Sequence, residues 1–195
     1  MARRRKGLQF YQKEKKINSE LLKDIFELMM GTLVAIFLAF AITYFVGMRT
    51  SVIGDSMEPA LYNGQEILIN RFIYKISSPK RGDVIVFLPN GNQKTHYYVK
   101  RVMALPGETV QIKNGKVYID GELLEEDDSY DKIADAGIAE NEIVLNDNEY
   151  FVLGDNRNSS EDSRSGNIGA VDGSNIIGKA WFRLKSDDSE MGPVE

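Results

Sequence analysis

The chain has 195 residues, a formal net charge of −5, one histidine and no cysteine. This length fits one ordinary domain with a short additional segment. Without cysteine the chain cannot form disulfide bonds, a cysteine nucleophile or thiolate metal sites. A metalloprotease helix needs two histidines, so that class is excluded as well. We therefore expect no metal and no other cofactor.

An apolar stretch without a charged side chain covers residues 28–47. About 20 apolar residues in a helix cross the hydrocarbon core of a bilayer, so this stretch predicts one transmembrane anchor helix. A cleavable leader would have an apolar run of about 7–15 residues followed directly by a small-residue cleavage site. Met48, Arg49 and Thr50 follow the stretch instead, which favours a retained anchor.

The two sides of this stretch differ in charge. Residues 1–27 contain eight Lys or Arg residues and four acidic residues, a net charge of +4, which leaves −9 for residues 28–195. Because basic flanks stay in the cytoplasm, we expect residues 1–27 to be cytoplasmic and the later domain to be extracytoplasmic, in a single-pass topology. The bilayer is thus an expected partner. Nucleic acid is not, because the acidic domain would repel phosphate.

Residues 48–185 have the pattern of a β domain, because short apolar runs alternate with turn residues and helical periodicity is nearly absent. Asn114-Gly115 lies between two such runs and predicts a two-residue hairpin. The predicted fold is mostly β, an antiparallel sheet domain behind one N-terminal transmembrane helix, with a polar tail at residues 186–195. The predicted strands cover residues 66–74, 83–88, 97–104, 109–112, 116–119, 142–145, 150–153 and 176–184.

An acidic, weakly patterned segment covers residues 122–142 and is called the acidic insertion below. Asp127, Asp128 and Asp131 lack the spacing and the central glycine of an EF-hand, so calcium binding is not expected. We interpret the acidic insertion as a solvated loop.

A serine in a turn is the first candidate for chemistry. Gly54 and Pro59 bracket Ser56 in a non-repetitive segment, which can expose a hydroxyl and direct backbone N–H groups at one point. Many serines in such positions only form turns. The pattern by itself therefore leaves the role of Ser56 open.

A lysine in a strand is the second candidate. Strand alternation places Lys100 on the same face as Tyr98 and Val102, where a core residue is expected. Burial would lower the pKa of the ammonium and allow the neutral amine to act as a base. A lysine whose stem packs while its ammonium reaches water fits the same pattern.

Residues 154–164, called the polar loop below, are small, polar or charged and directly follow an apolar run. The polar loop is either ordinary surface or a shell of hydrogen-bonding groups that fixes a catalytic geometry. In the second case, Asp162 and Arg164 would form an ion pair.

Four segments in order resemble the conserved boxes of the bacterial type I signal peptidases, serine proteases with a Ser–Lys dyad. The matches are Ser56-Met-Glu-Pro for the nucleophile box, Arg81-Gly-Asp-Val-Ile-Val-Phe for a structural strand, Tyr98-Val-Lys-Arg-Val with Leu-Pro-Gly for the lysine box, and Gly154-Asp-Asn-Arg with Asp162-Ser-Arg for the last box. The resemblance covers the anchor and nearly the whole domain.

The resemblance implies a role for each matched residue. Ser56 would be the nucleophile and Lys100 its general base, and the reaction would pass through an acyl-enzyme. Ser160 would hydrogen-bond and orient the lysine amine. The other supporting residues would be Asp155, Arg157, Asp162 and Arg164, and the residues that contact substrate would be Met57, Leu61, Tyr98 and Val99.

The resemblance also defines an oxyanion hole and a substrate. The Ser56 N–H would be one oxyanion donor, and some members use a serine two residues earlier as the second. This chain has Gly54 there, a form associated with Gram-positive enzymes, so the second donor stays unassigned. The implied substrates are signal peptides of exported preproteins, cut after small residues at −1 and −3, and the implied location is the cell membrane.

Three alternatives remain open. A self-cleaving repressor of the LexA type shares the β core and the Ser–Lys pair, but it would have a DNA-binding unit in place of the apolar stretch. His96 could act as the base, although it lies about 13 Å from Lys100 along an extended strand, so only one of them can contact Ser56. The third alternative is a non-catalytic, anchored module that binds exported peptides.

Overall fold

The computed structural model describes residues 19–126 and 130–194. The chain divides into two compact units, one ending at Ala41 and the other beginning at Ile42. Helix α1 (Ser19–Val46) contains a segment long and apolar enough to cross a membrane. It begins earlier than residue 28 because good helix formers precede the apolar stretch. The start of the predicted cytoplasmic segment, residues 1–18, lies outside the described residues.

The second unit is built mainly from short β-strands. These are β1 (Met48–Ser51), β2 (Glu66–Asn70), β3 (Val84–Phe87), β4 (Tyr98–Ala104), β5 (Thr109–Lys113), β6 (Lys116–Ile119), β7 (Glu122–Leu123), β8 (Ile143–Val144), β9 (Glu149–Leu153), β10 (Val171–Asp172), β11 (Ile176–Arg183) and β12 (Gly192–Pro193). The remaining elements are the short helix α2 (Ile73–Ile76) and three 3-10 turns at Pro89–Gly91, Gly137–Glu140 and Gly173–Asn175.

Within the described residues these strands form two antiparallel sheets. The larger has the order β1-β2-β11-β3-β4-β9-β10, with β12 paired to β11, and the smaller has the order β7-β6-β5-β8. The predicted fold class is confirmed. The predicted hairpin is also present, because Asn114 and Gly115 have φ angles of 52° and 76° and connect β5 to β6.

The strand predicted at residues 66–74 ends at Asn70. The Asn70 side-chain oxygen accepts hydrogen bonds from the N–H groups of Phe72 at 3.0 Å and Ile73 at 3.1 Å, and the chain turns into α2. The second half of this prediction is wrong, because a short apolar run does not distinguish a strand from a helical turn.

The predicted polar tail folds back onto the larger sheet. In β12, Gly192 and Pro193 pair with Arg183 and Phe182 of β11. The next residue, Val194, is buried in an apolar cluster of the domain. The hydrophobic effect explains why this polar segment packs against the domain, because burial of the apolar Val194 side chain is favourable.

Strand β4 brings the three candidate segments together. Its Val99 packs in the same apolar cluster as Met57 and Leu61, which follow Ser56 in the chain. On its other edge β4 pairs with β9, and Arg101 lies opposite Leu153. The polar loop begins directly after β9, so it starts beside the strand that carries the lysine.

Candidate active site

Ser56 and Lys100 are in direct contact although 44 residues separate them in the chain. The Lys100 Nζ donates a hydrogen bond to Ser56 Oγ at 2.6 Å. Lys100 is only 4 % exposed, whereas Ser56 lies in a turn after β1 and is partly exposed. The contact therefore joins a reachable hydroxyl to a buried amine.

Burial lowers the pKa of Lys100 from 10.5 to about 8. The carboxylates of Asp162, Glu161 and Asp155 oppose this effect, and the positive charge of Arg164 adds to it. With a pKa of about 8, roughly a tenth of the amine is neutral at about pH 7, compared with roughly 0.03 % for an ordinary lysine. The sequence left open whether the Lys100 amine is buried or reaches water, and in the structure it is buried.

The turn before Ser56 is fixed by a glycine. Gly54 has a φ angle of +82°, which glycine adopts without strain. Its N–H donates to Asn63 Oδ1 at 3.0 Å. The Gly54 N–H is therefore engaged in this structure and is not a free second oxyanion donor.

The polar loop contacts the nucleophile turn through its backbone. The Asn156 N–H donates to the Ser56 carbonyl at 3.1 Å. Gly154 lies so close to the Ser56 carbonyl and the Ser160 hydroxyl that an added Cβ would overlap both. This close approach requires a glycine.

Asp162 is the central acceptor of the polar loop. It is fully buried and accepts from the Gly154 N–H at 3.0 Å and from Arg164 Nε and Nη2 at 2.8 Å each. Burial alone would raise the pKa of Asp162, but the hydrogen bonds and charge of Arg164 outweigh it and hold the pKa below its usual value. The Asp162–Arg164 ion pair expected from the sequence is present.

Two further charged residues of the loop, Asp155 and Arg157, have partners that the sequence analysis missed. Asp155 accepts from Arg101 Nε and Nη2 at 2.7 Å each. Arg157 donates to both carboxylate oxygens of Glu126 at 2.5 and 3.1 Å. Arg101 could have been noticed, because an arginine in a mostly apolar strand needs a partner when it is buried. Nothing in the sequence marked Glu126.

Ser160 does not hydrogen-bond to Lys100 in this structure. Its hydroxyl is close enough to Asp162 to help lower the pKa of that carboxyl. Its geometry falls short of a hydrogen bond, however, and within the described residues the buried oxygen has no partner. The amine is oriented by its contact with Ser56 instead.

A cleft of about 360 Å³ opens beside the pair. Of the four residues predicted to contact substrate, Tyr98 and Val99 line this cleft. Met57 and Leu61 have no exposed surface and pack in the core, so the structure corrects their assignment. Their apolar side chains are held there because they fill the space between the nucleophile turn and the sheet.

One wall of the cleft contains a hydrogen bond that the sequence analysis did not predict. The Tyr98 hydroxyl donates to Glu161 Oε2 at 3.1 Å, which joins β4 to the polar loop. His96 also lines the cleft, but its ring stacks on Tyr98 with centroids 5.2 Å apart. Lys100, and not His96, contacts the serine in this structure.

An adjacent general base can activate a serine hydroxyl as a nucleophile, and a buried amine of lowered pKa is chemically suited to act as such a base. The family model described as signal peptidase, peptidase S26, matches residues 25–185. The chain belongs to this family of signal peptidases, which are serine-type peptidases that remove signal peptides. The resemblance seen in the sequence is confirmed.

Two sequence relatives agree with the family match. Signal peptidase I P of Bacillus subtilis subsp. natto is 33 % identical over 175 residues, which cover 86 % of this chain and 91 % of the relative. Signal peptidase I S of Bacillus subtilis strain 168 is 35 % identical over 171 residues, or 82 % and 89 % of the two chains. A crystal structure of a signal peptidase I from Enterococcus faecalis V583 is 29 % identical, covers 53 % of this chain and 97 % of that chain, and gives a TM-score of 0.41.

Proposed function

We propose that this chain is a membrane-bound endopeptidase that removes signal peptides from secreted preproteins, with Ser56 as nucleophile and Lys100 as general base. The observation that carries the proposal is the 2.6 Å contact between the Ser56 hydroxyl and a buried amine beside an open cleft. Ser56 and Lys100 are called the catalytic pair below.

In the first half of the reaction, the neutral Lys100 amine takes the proton from Ser56 Oγ while the oxygen attacks the scissile carbonyl. The bond to the leaving amine then breaks, and the lysine ammonium returns the proton to that amine. The product is an acyl-enzyme ester on Ser56. In the second half, the neutral amine takes a proton from a water molecule, whose oxygen attacks the ester carbonyl. The bond between the acyl carbon and Ser56 Oγ then breaks, the lysine ammonium returns its proton to Ser56 Oγ, and the signal peptide leaves with a free C-terminal carboxyl group.

The negative charge that develops on the substrate oxygen needs donors in place before the reaction. Within the described residues the Ser56 N–H has no hydrogen-bond partner, which suits it to this role. The Gly54 N–H is engaged by Asn63, so a water molecule or another backbone group supplies the second donor.

The cleft suits an extended peptide with small side chains at −1 and −3. Tyr98, Val99 and Ile53 give it shallow apolar walls beside the catalytic pair. Small residues next to the scissile bond let the substrate backbone approach Ser56 closely. An extended segment can also hydrogen-bond to strand-like backbone along such a cleft.

Helix α1 supports a role as a single-pass anchor. In the proposed arrangement residues 1–27 are cytoplasmic, 28–47 span the cell membrane, and 48–185 form the extracytoplasmic peptidase domain. Enzyme and preprotein then share one bilayer, which raises the effective concentration of each for the other.

The test uses the full chain in detergent with a secretory preprotein, and the cut is located by N-terminal sequencing. Wild type is compared with Ser56→Ala, Lys100→Ala and His96→Ala. Cleavage after a small-x-small site by wild type and His96→Ala only is the expected result. Cleavage by Lys100→Ala and none by His96→Ala would assign the base to the histidine. No cleavage by folded wild type would refute the protease function.

A further inference from the structure

The acidic insertion is attached to the polar loop along much of its length. Asn158 donates from its side chain to the Lys132 carbonyl at 3.1 Å and accepts from the Ala134 N–H at 2.9 Å. Further along, Arg164 donates to the Asp135 carbonyl at 3.2 Å, and its own carbonyl accepts from the Ile138 N–H at 3.0 Å. Most described residues of this segment are exposed, as expected of a solvated loop, but these hydrogen bonds also fix the segment to the polar loop.

The insertion also supplies the carboxylate that neutralises a buried arginine. Arg157 is 2 % exposed, and its guanidinium forms a two-pronged ion pair with Glu126, at 2.5 and 3.1 Å. The Tyr130 ring lies 4.4 Å from the guanidinium carbon. The third nitrogen, Nε, is buried without a partner in the described part of the chain, so the guanidinium depends on Glu126 for its charge and for two of its nitrogens.

The polar loop is in turn the backbone that positions the catalytic pair. Asn156, directly before Arg157, donates its N–H to the Ser56 carbonyl at 3.1 Å. Asp155, one residue earlier, holds Arg101, the neighbour of Lys100 in β4, through two bonds of 2.7 Å. Arg157 is thus one residue away from the contact with Ser56 and two residues away from the contact with the neighbour of Lys100. A shift of the backbone at Arg157 is therefore expected to move both Ser56 and Lys100.

We infer that Glu126 is a positioning residue: it fixes Arg157 and, through the polar loop, keeps Ser56 and Lys100 in contact. The acidic insertion thus helps to hold the active site in its geometry and is not a free surface loop. The inference rests on the proposed function for its kinetic consequence. Its structural part, the fixing of the polar loop by Glu126, does not depend on that function.

The principal variant is Glu126→Gln in the full chain, and the matched control is Glu125→Gln. Glu125 is exposed, and it forms no ion pair among the described residues. Because a misplacement of about 1 Å at reacting groups can reduce a rate roughly 100-fold, we expect kcat of Glu126→Gln to fall by about that factor while KM changes little. The control should keep the wild-type kcat.

A double-mutant cycle tests whether Glu126 acts through Arg157. Arg157→Met removes the charge together with the link, so no unpaired guanidinium is left in the core and the variant is expected to fold. The double variant Glu126→Gln/Arg157→Met should be no slower than Arg157→Met alone. If kcat of the double variant is instead reduced by the product of the two single-variant factors, the inference is overturned.

Hydrogen exchange supplies a readout that needs no activity. Amides of the polar loop should exchange faster in Glu126→Gln than in Glu125→Gln, while amides of the β5–β6 hairpin stay unchanged. Unchanged exchange in the polar loop, or a lower melting temperature with wild-type kcat, would overturn the inference. If wild type shows no cleavage but the exchange difference appears, the fixing of the polar loop by Glu126 is supported and the proposed protease function is refuted.

Discussion

Replacing Lys100 with methionine should stabilise the domain at neutral pH while it abolishes cleavage. Lys100 is almost fully buried, and its pKa of about 8 means that the folded state disfavours its charged form. Methionine has a similar length, carries no charge and adapts its shape to its surroundings. The variant therefore removes the burial cost and the proposed base together.

The size of the effect follows from the pKa of this lysine. A decrease from 10.5 to about 8 corresponds to about 3 kcal/mol of unfolding free energy. Loss of the Lys100–Ser56 hydrogen bond offsets about 1 kcal/mol. The variant should thus be more stable by about 2 kcal/mol, which raises the melting temperature of a domain of this size by roughly 4–8 °C.

The difference between variant and wild type depends on pH in a defined direction. Below pH 8 the lysine is protonated in both folded and unfolded wild type, so the full burial cost is present. Between 8 and 10.5 the unfolded chain binds a proton that the folded chain does not, so wild-type stability rises with pH. The advantage of Lys100→Met should shrink across this window.

The assay is thermal unfolding of full-length wild type and variant in the same detergent, measured by circular dichroism over a series of pH values. Burial also raises the pKa of Tyr74, Tyr130 and Tyr150, but these groups contribute equally to both proteins, so they cancel in the difference. A variant less stable than wild type at neutral pH, or an advantage that does not change with pH, would refute a buried lysine of lowered pKa.

Three further predictions concern catalysis. Activity should rise about tenfold per pH unit to a midpoint near the lysine pKa of about 8. Glu161→Gln should move this midpoint to lower pH, because the Glu161 carboxylate raises the pKa of Lys100. A fluorogenic peptide assay at low ionic strength measures both effects, and an unchanged midpoint in Glu161→Gln would contradict the second. Gly154→Ala should reduce kcat by roughly 100-fold because its Cβ would overlap the Ser160 hydroxyl and displace the catalytic pair. Gly166→Ala, whose Cβ meets only an ordinary contact at 3.9 Å, is the control and should keep wild-type kcat.

The sequence was sufficient for features that local pattern encodes. Strand alternation put Lys100 on a face where a core residue is expected, but it left open whether the ammonium is buried or reaches water. The structure decided this, because β4 is buried on both of its faces. The Asn114–Gly115 hairpin followed from the positive φ angles that these two residue types tolerate. The order and spacing of the four boxes were enough to identify the family, which the comparisons confirmed.

Local pattern was insufficient wherever a partner lies far away in the chain. Asp155 and Arg101 are 54 residues apart, and their pairing depends on the register of β4 against β9. Glu126 reaches Arg157 only because the acidic insertion folds back across the polar loop. The acidic insertion has the composition of a solvated loop. Its ion pair with Arg157 could not be predicted, because composition does not record which charges meet in the folded chain.

Burial and contact at the proposed site were likewise decided by the tertiary structure. Met57 flanks Ser56 in sequence, yet it packs in the core, whereas Glu161 was not predicted and lines the cleft. The residue types that chemistry requires can be read from the sequence. The 2.6 Å contact between Ser56 and Lys100, and the burial that lowers the pKa of the amine, exist only once the sheet and the polar loop have packed around them.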